Sequence, residues 1–236
     1  MRWLRSIVVF DQGNVLASTD WAAVHASYVR SIQSIDFPQG SGSLTLKRKV
    51  RRPDGQWNRN GVNYLKRSFF EHLTRVEGWA PEIGFDPGRI RTPSVLQLYP
   101  SMAPHEEPIT SDFGGFDFVT TGPERTRVAI EWETGNISSS HRSVNKLAIA
   151  LISGEIQVGV LIVPSRALYE HLTDRIGNIG ELSGYLTMWK DLEPRVARGA
   201  LIISVVEHDH LTDDDGHPYL PTGNDGRAAQ GRARRT

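Results

Sequence analysis

The chain has no cysteine among its 236 residues and only three methionines. That excludes a disulfide framework, a thiolate metal centre and a cysteine nucleophile, so any chemistry falls to oxygen and nitrogen groups. Also lacking is an apolar run of the roughly 20 residues that a membrane-spanning helix needs. The first ten residues are interrupted by Arg2 and Arg5 too early to resemble a cleaved signal peptide. A cytoplasmic protein with no membrane partner is the expectation. Nor does charge of one sign dominate: 27 Lys and Arg stand against 27 Asp and Glu. This argues against coating nucleic acid by bulk charge. It leaves room for basic residues on one surface and acidic ones at a metal.

The length suits one substantial domain with a real core, and no internal repeat is visible. Residues 7–10 form an apolar strand candidate, and Ser18-Thr19-Asp20 offers capping side chains for a helix over 21–35. Residues 44–50 look strand-like and Pro53-Asp54-Gly55 is a turn signal, so 44–57 is expected to be a basic hairpin. Val62, Leu65, Phe69, Leu73 and Val76 recur at helical spacing. Residues 78–115 are rich in proline and glycine and read as a long irregular connection.

Two strands, 116–120 and 126–134, are expected to meet around Gly122-Pro123. A helix over 138–153, a strand over 158–163, helices over 166–173 and 181–192, and a strand over 200–206 follow. The pattern predicts a mixed α/β domain over residues 1–210, with helices flanking a central mixed sheet. Residues 211–236, ending in an Arg-rich run, are expected to be a disordered tail.

The chemistry concentrates in Phe116-Asp117-Phe118 and Val128-Ala129-Ile130-Glu131-Trp132-Glu133. Side chains alternate across a strand, so Glu131 and Glu133 share one face. If the strands pair about the turn, Asp117 falls close to opposite Glu131. Such carboxylates raise each other's pKa unless a cation neutralises them, and an all-oxygen set suits magnesium. Taken alone, Glu-x-Glu is more often the solvated face of a half-exposed strand.

Its context is more specific. These pieces, with Gly135-Asn136-Ile137-Ser138 leading into a helix, resemble the BamHI/BglII/BstYI-like group of type II restriction endonucleases, a branch of the PD-(D/E)XK nuclease superfamily. The resemblance is specific over residues 116–146 and looser to 207. It departs from the wider superfamily in having Glu133 where a lysine is usual.

By that resemblance the fold is restriction-endonuclease-like, and Asp117 and Glu131 would hold Mg2+. Glu133 would orient or activate the attacking water, and Glu71 on the upstream helix would be a further catalytic acid. The enzyme would cut double-stranded DNA as a homodimer, leaving 5′-phosphate ends, beside a cognate DNA methyltransferase. Candidate DNA contacts are Lys47, Arg48, Lys49, Arg51 and Arg52 in the hairpin around 44–59. Asn136, Ser138, Ser139, Ser140, His141 and Arg142 at the strand-to-helix junction are the others.

Two other readings compete. Residues 7–16 look like the first motif of haloacid-dehalogenase-like phosphatases, with Asp11 as nucleophile, although the later motifs of that family cannot be placed in order. A non-specific or inactive DNA-binding or repair protein on the nuclease fold is the second. Glu207-His208-Asp209-His210 could pass for a metal cluster, but its place at a strand end favours a surface role.

Overall fold

A computed structural model describes residues 1–84, 114–173 and 176–221. In chain order the elements are β1 (Arg2–Gln12), α1 (Thr19–Gln33), β2 (Thr45–Lys47), β3 (Val50–Arg51), β4 (Trp57–Asn58), α2 (Asn63–Arg75) and β5 (Ala80–Ile83). Then come β6 (Phe116–Thr121), β7 (Arg127–Trp132), α3 (Ile137–Ser153), β8 (Val158–Pro164), α4 (Arg166–Tyr169), α5 (Ile179–Leu182), α6 (Leu186–Lys190), β9 (Gly199–Glu207) and β10 (His210–Thr212). Among the described residues six strands form one mixed sheet in the order β1-β9-β8-β7-β6-β5, with β7, β8 and β9 parallel and the outer pairings antiparallel. Helices cover both faces, so the expected α/β architecture is present.

Strand alternation builds the two cores. Val128, Ile130 and Trp132, Val158, Val160 and Ile162, and Ala200 and Ile202 pack with Trp21, Tyr28 and Ile32 of α1 and Leu65, Phe69 and Leu73 of α2. Ala129, Leu161, Val163, Leu201, Ile203 and Val205 meet Val144, Leu147 and Leu151 of α3 and Trp189 of α6 on the other side. Every residue of β8 is buried, which is why that segment reads as a continuous apolar run. Each Leu or Val enclosed in this way contributes roughly 1.5–3 kcal/mol. α3 starts on the Asn136 side chain, which accepts from the Ser139 N–H, and ends where Gly154 turns left-handed at φ 76°.

Several expectations need correction. The basic stretch 44–57 is not one hairpin. β2 runs parallel to β10, and only β3 and β4 pair antiparallel across the Asp54-Gly55 turn. The reason lies in Leu44 and Leu46, both fully buried, which dock this segment on the core. Order also continues past residue 210: β10 is paired, and Leu220 is 1% exposed with its N–H on Asn60 Oδ1 at 3.1 Å. Tail residues 222–236 lie outside the described residues.

Within the connection 78–115, residues 80–83 form strand β5, the last of the sheet among the described residues, while 85–113 lie outside the described residues. The helix expected over 181–192 is divided into α5, a 3-10 turn at Ser183–Tyr185 containing Gly184, and α6. Among the described residues no helix is long and apolar enough to cross a membrane.

Candidate active site

The β6–β7 register matches Phe118 with Ile130, so the next step of the ladder sets Asp117 across from Glu131. Asp117 Oδ2 accepts from the Trp132 N–H at 2.9 Å, and each of its carboxylate oxygens lies 3.1 Å from Lys66 Nζ. Lys66 stands in the first turns of α2. Glu131 is 7% exposed and ion-paired with Lys146 Nζ, which reaches in from α3 and also donates to the Gly115 carbonyl at 2.7 Å.

Glu133 follows just beyond the end of β7. Its N–H still donates to Ile162 O at 3.0 Å, and its carboxylate accepts from Gly135 N–H at 2.5 Å. A Cβ at position 135 would stand 2.9 Å from that carboxylate oxygen and 2.6 Å from Ser139 Oγ, so glycine is what allows so close an approach.

The electrostatics set these carboxylates apart from ordinary surface acids. Burial, reinforced by the charge of Asp117 and opposed by Lys146 and Lys66, pushes the Glu131 pKa from 4.5 to about 7. Burial also raises that of Glu133, against the Gly135 N–H and the Ser140 hydroxyl, which pull it down. A divalent cation relieves this kind of strain.

The donors fit such an ion in kind, being hard carboxylate oxygens on adjacent strands. Among the described residues no three Asp, Glu or His side chains gather closely enough to enclose one.

Sequence reasoning missed Lys66 and Lys146. Lys146 did leave a signal, since it interrupts the apolar face that Val144, Leu147 and Leu151 present. Glu71, expected as a further acid, is instead tied to Arg67 one turn earlier at 3.0 Å; Lys66 is the α2 residue that reaches Asp117.

The proposed DNA contacts divide as well. Lys47 and Arg48 are occupied by Asp215 and Asp213 at 3.6 and 3.2 Å, and Arg52 by Asp54 at 3.0 Å. Lys49 lies over the Trp57 ring, and Arg51 is exposed. At the start of α3, Asn136, Ser138 and Arg142 are exposed and Ser139 is half-buried. Ser140 is fully buried, and His141 is packed edge-on against Tyr185 at 4.2 Å. Ser140 is enclosed between the helix and Gly177.

Asp11 proves to be a turn residue. Its carboxylate accepts from the N–H groups of Val15 and Leu16 at 2.7 and 3.3 Å, capping a 3-10 turn after an antiparallel edge strand. The Glu207–His210 group is likewise structural: Glu207 pairs with Arg2 and accepts from Ser165, and Asp209 accepts from Leu44 N–H.

The family model for restriction endonuclease BamHI matches residues 1–227 of the 236. The chain belongs to the BamHI restriction endonuclease family. As a BamHI-family member it is a type II site-specific deoxyribonuclease, and a divalent-metal requirement goes with that membership. It is 35% identical to the type II restriction enzyme OkrAI of Oceanobacter kriegii over 198 residues, covering 84% of this chain and 85% of that one. It is 48% identical to the type II restriction enzyme BamHI of Bacillus amyloliquefaciens over 65 residues, 28% of this chain and 30% of that one. The fold is also that of restriction endonuclease BglII, solved in complex with a DNA 16-mer. There the TM-score is 0.54 at 9% identity, covering 87% of this chain and 79% of that one. These similarities displace the phosphatase reading based on Asp11.

Proposed function

We propose that this BamHI-family chain uses Mg2+ at Asp117 and Glu131 to hydrolyse one phosphodiester bond in each strand of a specific duplex sequence, with Glu133 acting on the attacking water. The observation that supports this most is the meeting of Asp117 and Glu131 across β6 and β7, with Glu131 buried and its pKa raised. Bound there, the cation would offset charge developing on the phosphate and favour ionised water.

Glu133 is restrained by Gly135 N–H, and burial strengthens its hold on a proton, the direction that favours a general base. Water attacks phosphorus, the bond to the 3′ oxygen breaks, and the products carry 5′-phosphate and 3′-hydroxyl ends. Lys49, Arg51, Asn136, Ser138 and Arg142 are the candidates to hold DNA, because they are exposed or lie beside exposed aromatic surface.

A two-fold symmetric substrate calls for a homodimer with one active site per strand. In a cell the partner activity is a cognate methyltransferase that protects the same sequence, and both work in the cytoplasm. The test is digestion of unmethylated linear DNA with Mg2+ or with EDTA, alongside sedimentation of the free protein. Discrete fragments lost in EDTA, from a dimeric enzyme, support the proposal; cleavage that persists in EDTA refutes it.

A further inference from the structure

The two lysines at the site differ in how they are held. Lys146 is 6% exposed, and besides Glu131 it has the Gly115 carbonyl at 2.7 Å and the Phe116 ring at 5.2 Å. Lys66 has a side chain 29% exposed; among the described residues its contacts are Asp117 and the Phe70 ring at 5.1 Å, and its charge also acts on Glu131 and Glu133. One lysine is fixed by groups that remain whatever happens at its carboxylate. The other reaches from a helix surface and can return to water.

Charge gives these positions a consequence. With all three carboxylates ionised, as metal binding requires, Asp117, Glu131 and Glu133 against Lys66 and Lys146 leave the site one negative charge. A divalent cation added to that set overshoots to one positive charge, and withdrawal of one ammonium group restores neutrality. We infer that Lys66 is a displaceable counter-ion, which holds Asp117 in position before metal arrives and gives the carboxylate up to the metal when it binds, while Lys146 stays on Glu131. Lys66 is therefore a positioning residue that competes with the metal, and it sets the metal concentration at which the enzyme becomes competent. This rests on the proposed metal role of Asp117 and Glu131.

The experiment is calorimetric titration of the DNA-free protein with Ca2+, a hard divalent probe that reports binding without requiring turnover. Wild type, Lys66→Met, Lys66→Arg and Asp117→Asn are compared, with thermal melting in EDTA as the folding control. Lys66→Met removes the competitor and keeps the aliphatic stem, so Ca2+ binding is expected to tighten roughly three- to tenfold, as loss of one nearby like charge at a partly exposed site implies. Its EDTA melting point is expected to fall, because Asp117 loses its counter-ion, and to rise more on adding Ca2+ than that of wild type. Lys66→Arg retains a competing cation and is not expected to tighten binding.

Unchanged or weaker Ca2+ binding by a folded Lys66→Met protein would overturn the inference. If Asp117→Asn binds Ca2+ as wild type does, or wild type binds none, the metal-site reading itself fails and the inference falls with it.

Discussion

Replacing Lys146 by methionine separates the electrostatic part of the site from its packing. The ion pair is buried on both sides, with Lys146 6% and Glu131 7% exposed. Removing one partner of such a pair costs about 3–5 kcal/mol when the other must remain charged. Glu131 has an escape, however, because its pKa already stands at about 7 and rises further without Lys146.

A carboxylate whose folded pKa lies above its usual 4.5 stabilises the fold below that value, and the contribution is lost as pH rises through the folded pKa. In metal-free solution the deficit of Lys146→Met is therefore expected to be small at about pH 6, where Glu131 takes up a proton. It should grow to about 3 kcal/mol at about pH 9. Urea unfolding in EDTA at both pH values measures it. Adding Glu131→Gln to Lys146→Met removes the stranded acid and is expected to recover most of the loss at high pH. A deficit that does not change with pH, or a double variant no more stable than the single one, would refute the argument.

Burial depresses the pKa of His208 from 6.5 to about 4, so its neutral form contributes stability that is present above pH 6.5 and lost as pH falls toward 4. His208→Phe should lessen the acid sensitivity seen in urea midpoints by roughly 1–2 kcal/mol, the shift being reduced by solvent screening, and an unchanged acid limb would count against it. Among the described residues Glu71→Ala breaks an exposed pair with Arg67. Stability should move by no more than about 0.5 kcal/mol and cleavage by less than about twofold; a hundredfold loss of rate would return Glu71 to the catalytic set. Lys49→Ala and Arg51→Ala should each flatten the dependence of DNA affinity on salt by about one unit of log–log slope if each meets a phosphate. No change in slope would take the β3–β4 hairpin off the DNA.

The central half of the molecule was legible in the sequence because local pattern and tertiary role agree there. Val128 to Trp132 alternates as the two cores require, β8 is apolar throughout because both its faces are covered, and Asn136 and Gly154 bracket α3 as cap residues should. Asp117 and Glu131 were readable for the same reason, since a short turn fixes the register between their strands.

Long-range pairing was not legible. Nothing local to Leu44 and Leu46 says that their strand will lie parallel to residues 210–212, and the lone apolar residues Leu211 and Leu220 gave too little contrast against an acidic, glycine-containing stretch. The lysines were missed because their role depends on which carboxylate each meets across the fold. Spacing along a helix cannot supply that. Glu71 shows the converse: a charge at a suitable helical position found a neighbour on its own helix.

The most direct test of the account is cleavage of linear duplex DNA in Mg2+ by wild type, Asp117→Asn, Glu131→Gln and Glu133→Gln, with binding of labelled duplex followed in Ca2+. Discrete fragments from wild type and none from the three variants, with folded variants that still bind the duplex, is the predicted result. Cutting at the wild-type rate by Glu131→Gln or Asp117→Asn would contradict it.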